Sequence, residues 1–344
     1  MRILVTGHNG YIGSAMVPIL VGAGHQVVGL DTFYFGDCTF ESDSVNVEFI
    51  RKDIRDVSEQ DLSRFDAIIH LAALCNDPLG NLNPEATYSI NHLASVCLAR
   101  LARGAGVKRF LFASSCSMYG AAGQDDFMAE DAPLHPLTPY AISKVRAEED
   151  LYKLGDRDFS PVLLRNATVY GVSPRLRADV VLNNLVGWAY ATGQVRILSD
   201  GSPWRPIVHV EDVSRVFALM LDAPREAIHN EAFNVGIDTE NYQVRDLAEI
   251  VRSSVSGCSV VYSDRPSADQ RTYRVDFGKL AKTFPVFKSR LNARLGTGEL
   301  YSAYERTRFR LEDLEGRRYT RVRQLKYLID NGALDLTLRW NEIR

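Results

Sequence analysis

A tyrosine and a lysine four residues apart, Tyr140 and Lys144, are the side chains with the clearest chemical potential in this sequence. Thr138 suits the N-cap position of a helix and Pro139 suits its first position, so both side chains are expected on one helical face. A free tyrosine has a pKa near ~10 and is a poor base at neutral pH. Positive charge held nearby favours the phenolate, so the pair predicts a general base that removes a proton from a hydroxyl group.

A hydroxyl-rich segment, residues 114–120, follows the predicted strand Arg109–Ala113. Small hydroxyl side chains at the carboxyl end of a strand lie where open α/β sheets bind their ligands. One of them can donate a hydrogen bond to a substrate oxygen as negative charge develops there. The alternative is a turn whose hydroxyl groups bond only their own backbone.

A glycine-rich turn separates the predicted strand Ile3–Val5 from a helix with apolar residues at helical spacing. Glycines at these positions allow a tight turn and let the backbone approach a pyrophosphate, which the N–H groups and positive dipole end of the helix then bind. The spacing is GxxGxxG, whereas the commonest dinucleotide fingerprint is GxGxxG. The residues predicted to contact a dinucleotide here are Gly7, Asn9, Gly10, Tyr11, Ile12 and Gly13.

Asp31 ends the second predicted strand, close to the ~20-residue spacing at which a carboxylate accepts hydrogen bonds from a ribose 2′-hydroxyl. A carboxylate also repels a 2′-phosphate, so the pattern favours NAD over NADP. Asp53 and Ile54 follow an apolar run and are a plausible adenine contact, although a surface acid would look the same.

These candidate residues require a parallel sheet to hold them. Short runs that are apolar on consecutive residues alternate with helical patterns through the first half of the chain, as expected for strands buried on both faces. The runs after the first are Gln26–Leu30, Ala67–Leu71, Arg109–Ala113, Pro161–Leu164 and Phe233–Gly236. The alternation predicts an α/β protein with a doubly wound parallel-sheet Rossmann fold. Residues 1–171 and about 207–236 are assigned to this NAD-binding domain, and about 172–206 and 237–344 to a smaller C-terminal substrate-binding lobe.

Composition excludes several other classes of protein. The chain has 344 residues and a net charge of −3, so no global field attracts nucleic acid or an anionic membrane. Five cysteines without CxxC pairs predict reduced thiols and no bound metal, and the absence of a signal sequence or long apolar run predicts a cytoplasmic location. The arginine-dense stretch 306–326 contains interleaved acids, which favours a solvated or subunit-facing helical surface.

Together the motifs resemble those of the extended short-chain dehydrogenase/reductase family, particularly its sugar-nucleotide epimerases, dehydratases and reductases, over about residues 1–236. The resemblance implies that Ser115 is catalytic with Tyr140 and Lys144. It further implies that Arg205, and a second region around Asp269 and Arg271, bind the diphosphate of a nucleoside-diphosphate sugar. The remaining positions implied by the resemblance are Leu71, Ala72, Ala73 and Asn91 toward the cofactor, Thr168 toward the substrate, and Asn183 toward the nucleobase or its ribose.

Three departures from the family's pattern bear on the expected chemistry. The family's 4,6-dehydratases carry acidic or basic residues where this chain has Cys116 and Ser117, so a 4,6-dehydratase is a less favoured alternative. Cys116 is one residue away from the cysteine position of the 3,5-epimerases, so that activity is disfavoured as well. Thr168 stands where an asparagine is common in the family.

The resemblance therefore implies a nucleoside-diphosphate-sugar 4-epimerase that holds NAD tightly and forms a transient 4-keto intermediate. Tyr140 would remove the C4 hydroxyl proton, Ser115 would hold that oxygen, and Lys144 would orient the ribose and lower the pKa of Tyr140 together with the positive nicotinamide ring. A 4-ketoreductase or dehydrogenase with the same residues is the alternative, followed by a non-catalytic nucleotide-sensing protein. The family also suggests a homodimer formed through a four-helix contact. The sugar and the nucleotide are left open.

Overall fold

The central element of the computed structural model, which describes residues 1–41, 45–121, 126–263 and 271–341, is a seven-stranded parallel sheet. Within these residues the strands are β1 (Arg2–Thr6), β2 (Gln26–Asp31), β3 (Glu48–Arg51), β4 (Ala67–His70), β5 (Arg109–Ser115), β6 (Phe127–Met128), β7 (Ser160–Asn166), β8 (Thr168–Tyr170), β9 (Gln194–Ile197), β10 (Trp204–His209), β11 (Glu231–Val235), β12 (Asn241–Gln243), β13 (Ser259–Tyr262) and β14 (Arg274–Val275). The sheet order is β11-β7-β5-β4-β1-β2-β3. Successive strands are therefore added on one side of β1 up to β3 and on its other side from β4 onward, so the strand order reverses between β1 and β4. Ligands of open α/β sheets bind at such a reversal.

The α-helices complete the layers. They are α1 (Tyr11–Gly22), α2 (Glu59–Leu62), α3 (Asp77–Gly80), α4 (Pro84–Tyr88), α5 (Ser95–Gly104), α6 (Pro139–Tyr152), α7 (Val181–Thr192), α8 (Val210–Asp222), α9 (Arg225–Ile228), α10 (Val244–Ser254), α11 (Gly278–Thr283), α12 (Ala293–Thr307), α13 (Leu311–Glu315) and α14 (Arg321–Asp330). One π-helical segment, Ser89–Ala94, joins α4 to α5.

Alternating side chains of the central strands bury both faces of the sheet. Ile3 and Val5 of β1 pack with α1 and α8 in one core, whereas Leu4 packs with α5 and α6 in the core on the opposite face. Each of these three residues is fully buried, which contributes about 1.5–3 kcal/mol per side chain. The predicted parallel sheet with two covered faces is therefore confirmed.

A third apolar core lies outside the sheet and is formed mainly by α7, α10 and α12, together with β9 and Phe40. Leu182, Leu247 and Leu300 are fully buried in it. This core contains much of the sequence assigned to the second lobe. None of the helices in the described part of the chain is long and apolar enough to cross a membrane.

From α14 onward the chain leaves this third core and packs against the sheet region. Leu325 and Leu328 of α14, and Leu334 and Leu338 after it, pack into the core that contains Leu30 and Ile54 of the sheet region. The prediction that residues 306–326 form a solvated or subunit-facing surface is wrong at Arg321, which is 1% exposed within the chain itself. Tertiary packing buries this face because α14 packs against the loop after β2, where Arg321 lies over the Phe35 ring and Gln324 donates to the Tyr34 carbonyl at 3.2 Å.

Candidate active site

Loops at the carboxyl ends of β1, β2, β4, β5 and β7 line one cavity of about 780 Å³. Gly7, Gly10 and Asp31 line one part of it, and Tyr140 and Lys144 line another. The cavity also reaches Arg205 and Arg271 in the part of the chain assigned to substrate binding. The structure thus brings the predicted cofactor, catalytic and substrate residues to one connected space.

The glycine turn is close-packed against its own backbone. Gly7 has φ +73°, and its N–H donates to the Leu30 carbonyl at 2.8 Å while its carbonyl accepts from Gly10 at 3.0 Å. A Cβ on Gly13 would lie 2.3 Å from the Gly7 carbonyl oxygen, so only glycine fits there. Gly10 caps α1 without a side-chain hydrogen bond, which leaves the helix N–H groups beside the cavity for an anion such as a pyrophosphate.

Asp31 sits at the end of β2 with its carboxylate held by two backbone donors. The Asn9 N–H donates to Oδ2 at 3.1 Å and the Phe33 N–H donates to Oδ1 at 2.7 Å. Burial raises the pKa of Asp31, and these hydrogen bonds oppose that effect. Asp31 lines the cavity, which a ribose ligand must do. Asn9 does not line the cavity, and its backbone N–H orients the Asp31 carboxylate.

Asp53 and Ile54 also line the cavity near this end. The Asp53 carboxylate is already paired with Arg55, at 2.6 Å between Oδ2 and the Arg55 Nη2. Ile54 is buried and presents an apolar surface. An adenine contact through Ile54 is consistent with this arrangement.

The segment after β4 reaches the cavity through Leu71, Ala72 and Ala73. His70 before them is buried, with Thr6 Oγ1 2.7 Å from Nδ1 and Ser95 Oγ 2.8 Å from Nε2. Burial, and secondarily Lys144, lower the pKa of His70 to about 3, so this imidazole is neutral and serves the core.

Asn91 does not line the cavity. Its amide accepts from the Leu74 N–H at 2.8 Å, donates to the Leu74 carbonyl at 3.0 Å and donates to Ser143 Oγ at 3.2 Å. The Ser143 hydroxyl in turn donates to the Tyr140 carbonyl at 2.6 Å. Asn91 therefore connects the loop after β4 to α6, and any effect on the cofactor is indirect.

The predicted catalytic residues converge at the start of α6 and the end of β5. Thr138 Oγ1 accepts from the Ala141 N–H at 3.2 Å, which caps α6 as expected. One turn separates Tyr140 from Lys144, whose Nζ donates to the Ala113 carbonyl at 2.6 Å. Ser115 lies beside Tyr140, and a side-chain hydrogen bond between them lowers the pKa of Tyr140.

Burial nevertheless raises the pKa of Tyr140 in the protein alone, and this is the largest influence on it. The Lys144 ammonium is 6.0 Å from the Tyr140 ring centre and is not among the main influences. In the protein alone, desolvation of the phenolate outweighs the interactions that lower the pKa of Tyr140, and the lowering by Lys144 together with a bound nicotinamide ring stays a prediction. Burial also lowers the pKa of Lys144 to about 8.

This lowered pKa predicts an unusual pH dependence of stability. Burial lowers the pKa of Lys144 to about 8 in the folded protein, against its ordinary value of 10.5 in the unfolded chain. Between these values the unfolded chain holds the proton and the folded chain does not, so the free energy of unfolding attributable to this group rises with pH. Urea unfolding at pH 8 and pH 10 should show the wild type gaining stability relative to Lys144→Met. Parallel pH profiles for the two proteins would contradict the burial argument.

On the substrate side, Arg205, Arg271 and Thr168 line the cavity. Arg205 is 8% exposed and its Nη1 donates to the Trp204 carbonyl at 2.8 Å. Arg271 forms an ion pair with Asp77, which also accepts a hydrogen bond from Thr138. The structure brings these two arginines together at the side of the cavity nearest α6, and Asp269 lies outside the described residues.

Asn183 is not brought to this cavity. Its amide accepts from the Gly171 N–H at 3.0 Å and donates to the Arg177 carbonyl at 2.8 Å, which holds the loop before α7. The neighbouring Asn184 lines the cavity instead.

Sequence reasoning missed several cavity-lining groups. The hydroxyls of Ser114 and Ser117 and the side-chain amide oxygen of Asn166 are buried without a hydrogen-bond partner among the described residues. Such groups are costly unless a ligand completes their hydrogen bonding. The serines at the carboxyl end of β5 and just after it are the sequence signal for these groups. Cys116, between them, points away and donates to the Arg165 carbonyl at 3.1 Å.

Comparison with known proteins identifies the group to which these features belong. The sequence profile of the NAD dependent epimerase/dehydratase family matches residues 3–236. The chain is 33% identical to the UDP-glucose 4-epimerase of Mycolicibacterium smegmatis over 269 residues, which cover 74% of this chain and 83% of that protein. The solved structure of MoeE5 in complex with UDP-glucuronic acid and NAD is similar, with a TM-score of 0.77, 28% identity and coverage of 89% and 100% of the two chains. The Thermotoga maritima UDP-glucose 4-epimerase with UDP-glucose matches with a TM-score of 0.76, 26% identity and coverage of 89% and 99%.

Proposed function

This chain belongs to the NAD dependent epimerase/dehydratase family, and we propose that it inverts carbon 4 of a UDP-sugar with Tyr140, Ser115 and Lys144 as its catalytic residues. It is an NAD-dependent epimerase of a nucleotide sugar. The observation that carries the finer proposal is the convergence of these three side chains and the glycine turn on one cavity.

The lining residues fit a dinucleotide at the β1–β4 reversal. The turn at Gly7–Gly13 offers backbone donors to a pyrophosphate, and the Asp31 carboxylate suits a ribose hydroxyl. NAD bound there would supply the hydride transfer from and back to carbon 4, which no side chain here can do.

Tyr140 supplies the accompanying proton transfer in this proposal. Its phenolate accepts the C4 hydroxyl proton as the carbonyl forms, and the phenol returns that proton to the oxygen in the reverse step. Ser115 donates a hydrogen bond to the same oxygen. Because burial raises the pKa of Tyr140, the phenolate requires positive charge beside it, which an oxidised nicotinamide ring would provide when bound.

Turnover without added cofactor tests this function. Purified protein should convert UDP-glucose to UDP-galactose with no external NAD or NADH, and deuterium at C4 of the substrate should be retained because the hydride returns to the same carbon. Cys116→Ser is the matched control and should keep full activity, since that thiol faces the Arg165 carbonyl. Stoichiometric NADH consumption would instead assign a 4-ketoreductase, and no reaction with any UDP-, dTDP-, GDP- or CDP-sugar would refute the function.

The assembly and location are also proposals. We propose that the chain forms the homodimer suggested by its family and works in the cytoplasm. Light scattering coupled to gel filtration should then give twice the mass of the 38.5 kDa chain.

A further inference from the structure

Two buried arginines from outside the Rossmann half line the cavity together with the glycine turn. Arg177, in the loop before α7, is 6% exposed, and Arg321, the first residue of α14, is 1% exposed. Both line the same cavity as Gly10, Tyr11 and Ile12. Arg321 lies beyond residues 3–236, the stretch matched by the family profile.

The charge of Arg321 is incompletely balanced by the surrounding protein. Arg177 Nε is 2.9 Å from Asp179 Oδ1, and Arg321 acts on the same carboxylate through its charge and its backbone N–H. Two guanidinium groups thus share one carboxylate among the described residues around them. Burial and the nearby Arg177 both lower the pKa of Arg321, as expected for a cation in need of an anion.

One edge of the Arg321 guanidinium is also unsatisfied. Nη2 donates to the Arg175 carbonyl at 2.5 Å, whereas Nη1 is buried and has no hydrogen-bond partner within the described part of the chain. A buried N–H donor on a charged group is costly to leave unpaired. Since Arg321 lines the cavity, an anion in that space can accept this bond.

The position of the cluster indicates which anion this is. The Arg321 guanidinium stacks 4.3 Å above the ring of Phe35, in the loop after β2. On the other side, Arg177 Nη1 is 3.3 Å from Cys75 Sγ and Asp179 accepts from Asn76, both in the loop after β4. Because β1 lies between β2 and β4, the cluster spans the carboxyl end of β1, where the glycine turn begins.

We propose that Arg321 binds the pyrophosphate of the NAD cofactor from the side opposite the glycine turn. The backbone N–H groups at the start of α1 and the Arg321 fork then hold the same diphosphate between them, a geometry that charge-assisted hydrogen bonds favour. Arg205 and Arg271 remain for the substrate diphosphate. The inference rests on the proposed function only in taking NAD as the dinucleotide.

Direct binding measurements test this assignment on the full chain stripped of bound dinucleotide. In Arg321→Gln the dissociation constants of NAD⁺ and ADP-ribose should rise about 10- to 100-fold, and that of UDP should not change. Less NAD should copurify with this variant. Lys326→Gln, which removes an exposed charge on the same helix, should match the wild type in all three measurements.

The outcomes separate the possible roles of Arg321. A weaker affinity for UDP with unchanged affinity for NAD⁺ would assign Arg321 to the substrate diphosphate and overturn the proposal. A purely structural role would lower the melting temperature while leaving the stabilisation by NAD⁺ unchanged. If Arg321→Gln fails to fold, Arg321→Lys keeps the charge but not the fork and should still weaken NAD⁺ binding, and wild-type affinity in that variant would refute the inference. Absence of epimerase activity in a wild type that binds NAD⁺ through Arg321 would refute only the proposed function.

Discussion

Tyr140→Phe should lower the turnover of nucleotide sugar by about 10²–10⁴-fold while the protein keeps its bound NAD. Tyr140 lines the cavity, and its hydroxyl forms a hydrogen bond with Ser115. Removing one oxygen therefore removes the proton acceptor and leaves the packing of α6 intact. Activity with UDP-glucose and the amount of NAD released on denaturation are the two measurements.

A second tyrosine on the same helix provides the control. Tyr152 is exposed at the end of α6, and Tyr152→Phe should change neither turnover nor NAD content. Turnover within about tenfold of wild type in Tyr140→Phe would show that another group moves the proton. Loss of NAD together with activity would show instead that Tyr140 serves binding.

Gly13→Ala should abolish NAD retention and destabilise the protein. The added Cβ would stand 2.3 Å from the Gly7 carbonyl oxygen and 2.6 Å from the His8 Cα, and both are backbone atoms that cannot rotate away. The turn must open, which costs about 1–3 kcal/mol or more and moves the N–H groups at the start of α1. NAD content and the free energy of unfolding in urea both report the change.

Gly22, at the other end of α1, is the matched position. An added Cβ there meets nothing within 4 Å, so Gly22→Ala should keep NAD and should gain about 0.5–1 kcal/mol from helix propensity. Full NAD content in Gly13→Ala would mean that the turn is not the pyrophosphate site.

The elements that hold the site follow from local sequence signals. Buried parallel strands need apolar residues on both faces, and the runs around Leu4, Ile68 and Leu111 meet that need without reference to distant residues. The Tyr140–Lys144 spacing likewise depends only on helical periodicity and on the cap at Thr138. These features could be predicted because each is decided within one segment.

What could not be predicted depends on contacts between distant segments. Asp77 and Arg271 are 194 residues apart, and nothing in either neighbourhood indicates their pairing. Asn183 and Asn184 differ by one position on α7, and about 100° of helical rotation decides which faces the cavity. Arg321 lies in a sequence segment with many charged residues, and nothing in that segment indicates its burial. The burial results from the contact of α14 with the loop after β2.

The contact between Tyr34 and Leu338 has a consequence for how the chain matures. The Tyr34 hydroxyl donates to the Leu338 carbonyl across 304 residues of sequence, and Trp340 donates to the Thr32 carbonyl at 2.7 Å. All seven strands of the parallel sheet are available once β11 has been translated, but this side of the cavity, which Tyr34 lines, is unfinished until residue 340 is translated. We therefore expect the dinucleotide to bind with full affinity only after translation, because segments from opposite ends of the sequence must first come together at Tyr34 and Leu338.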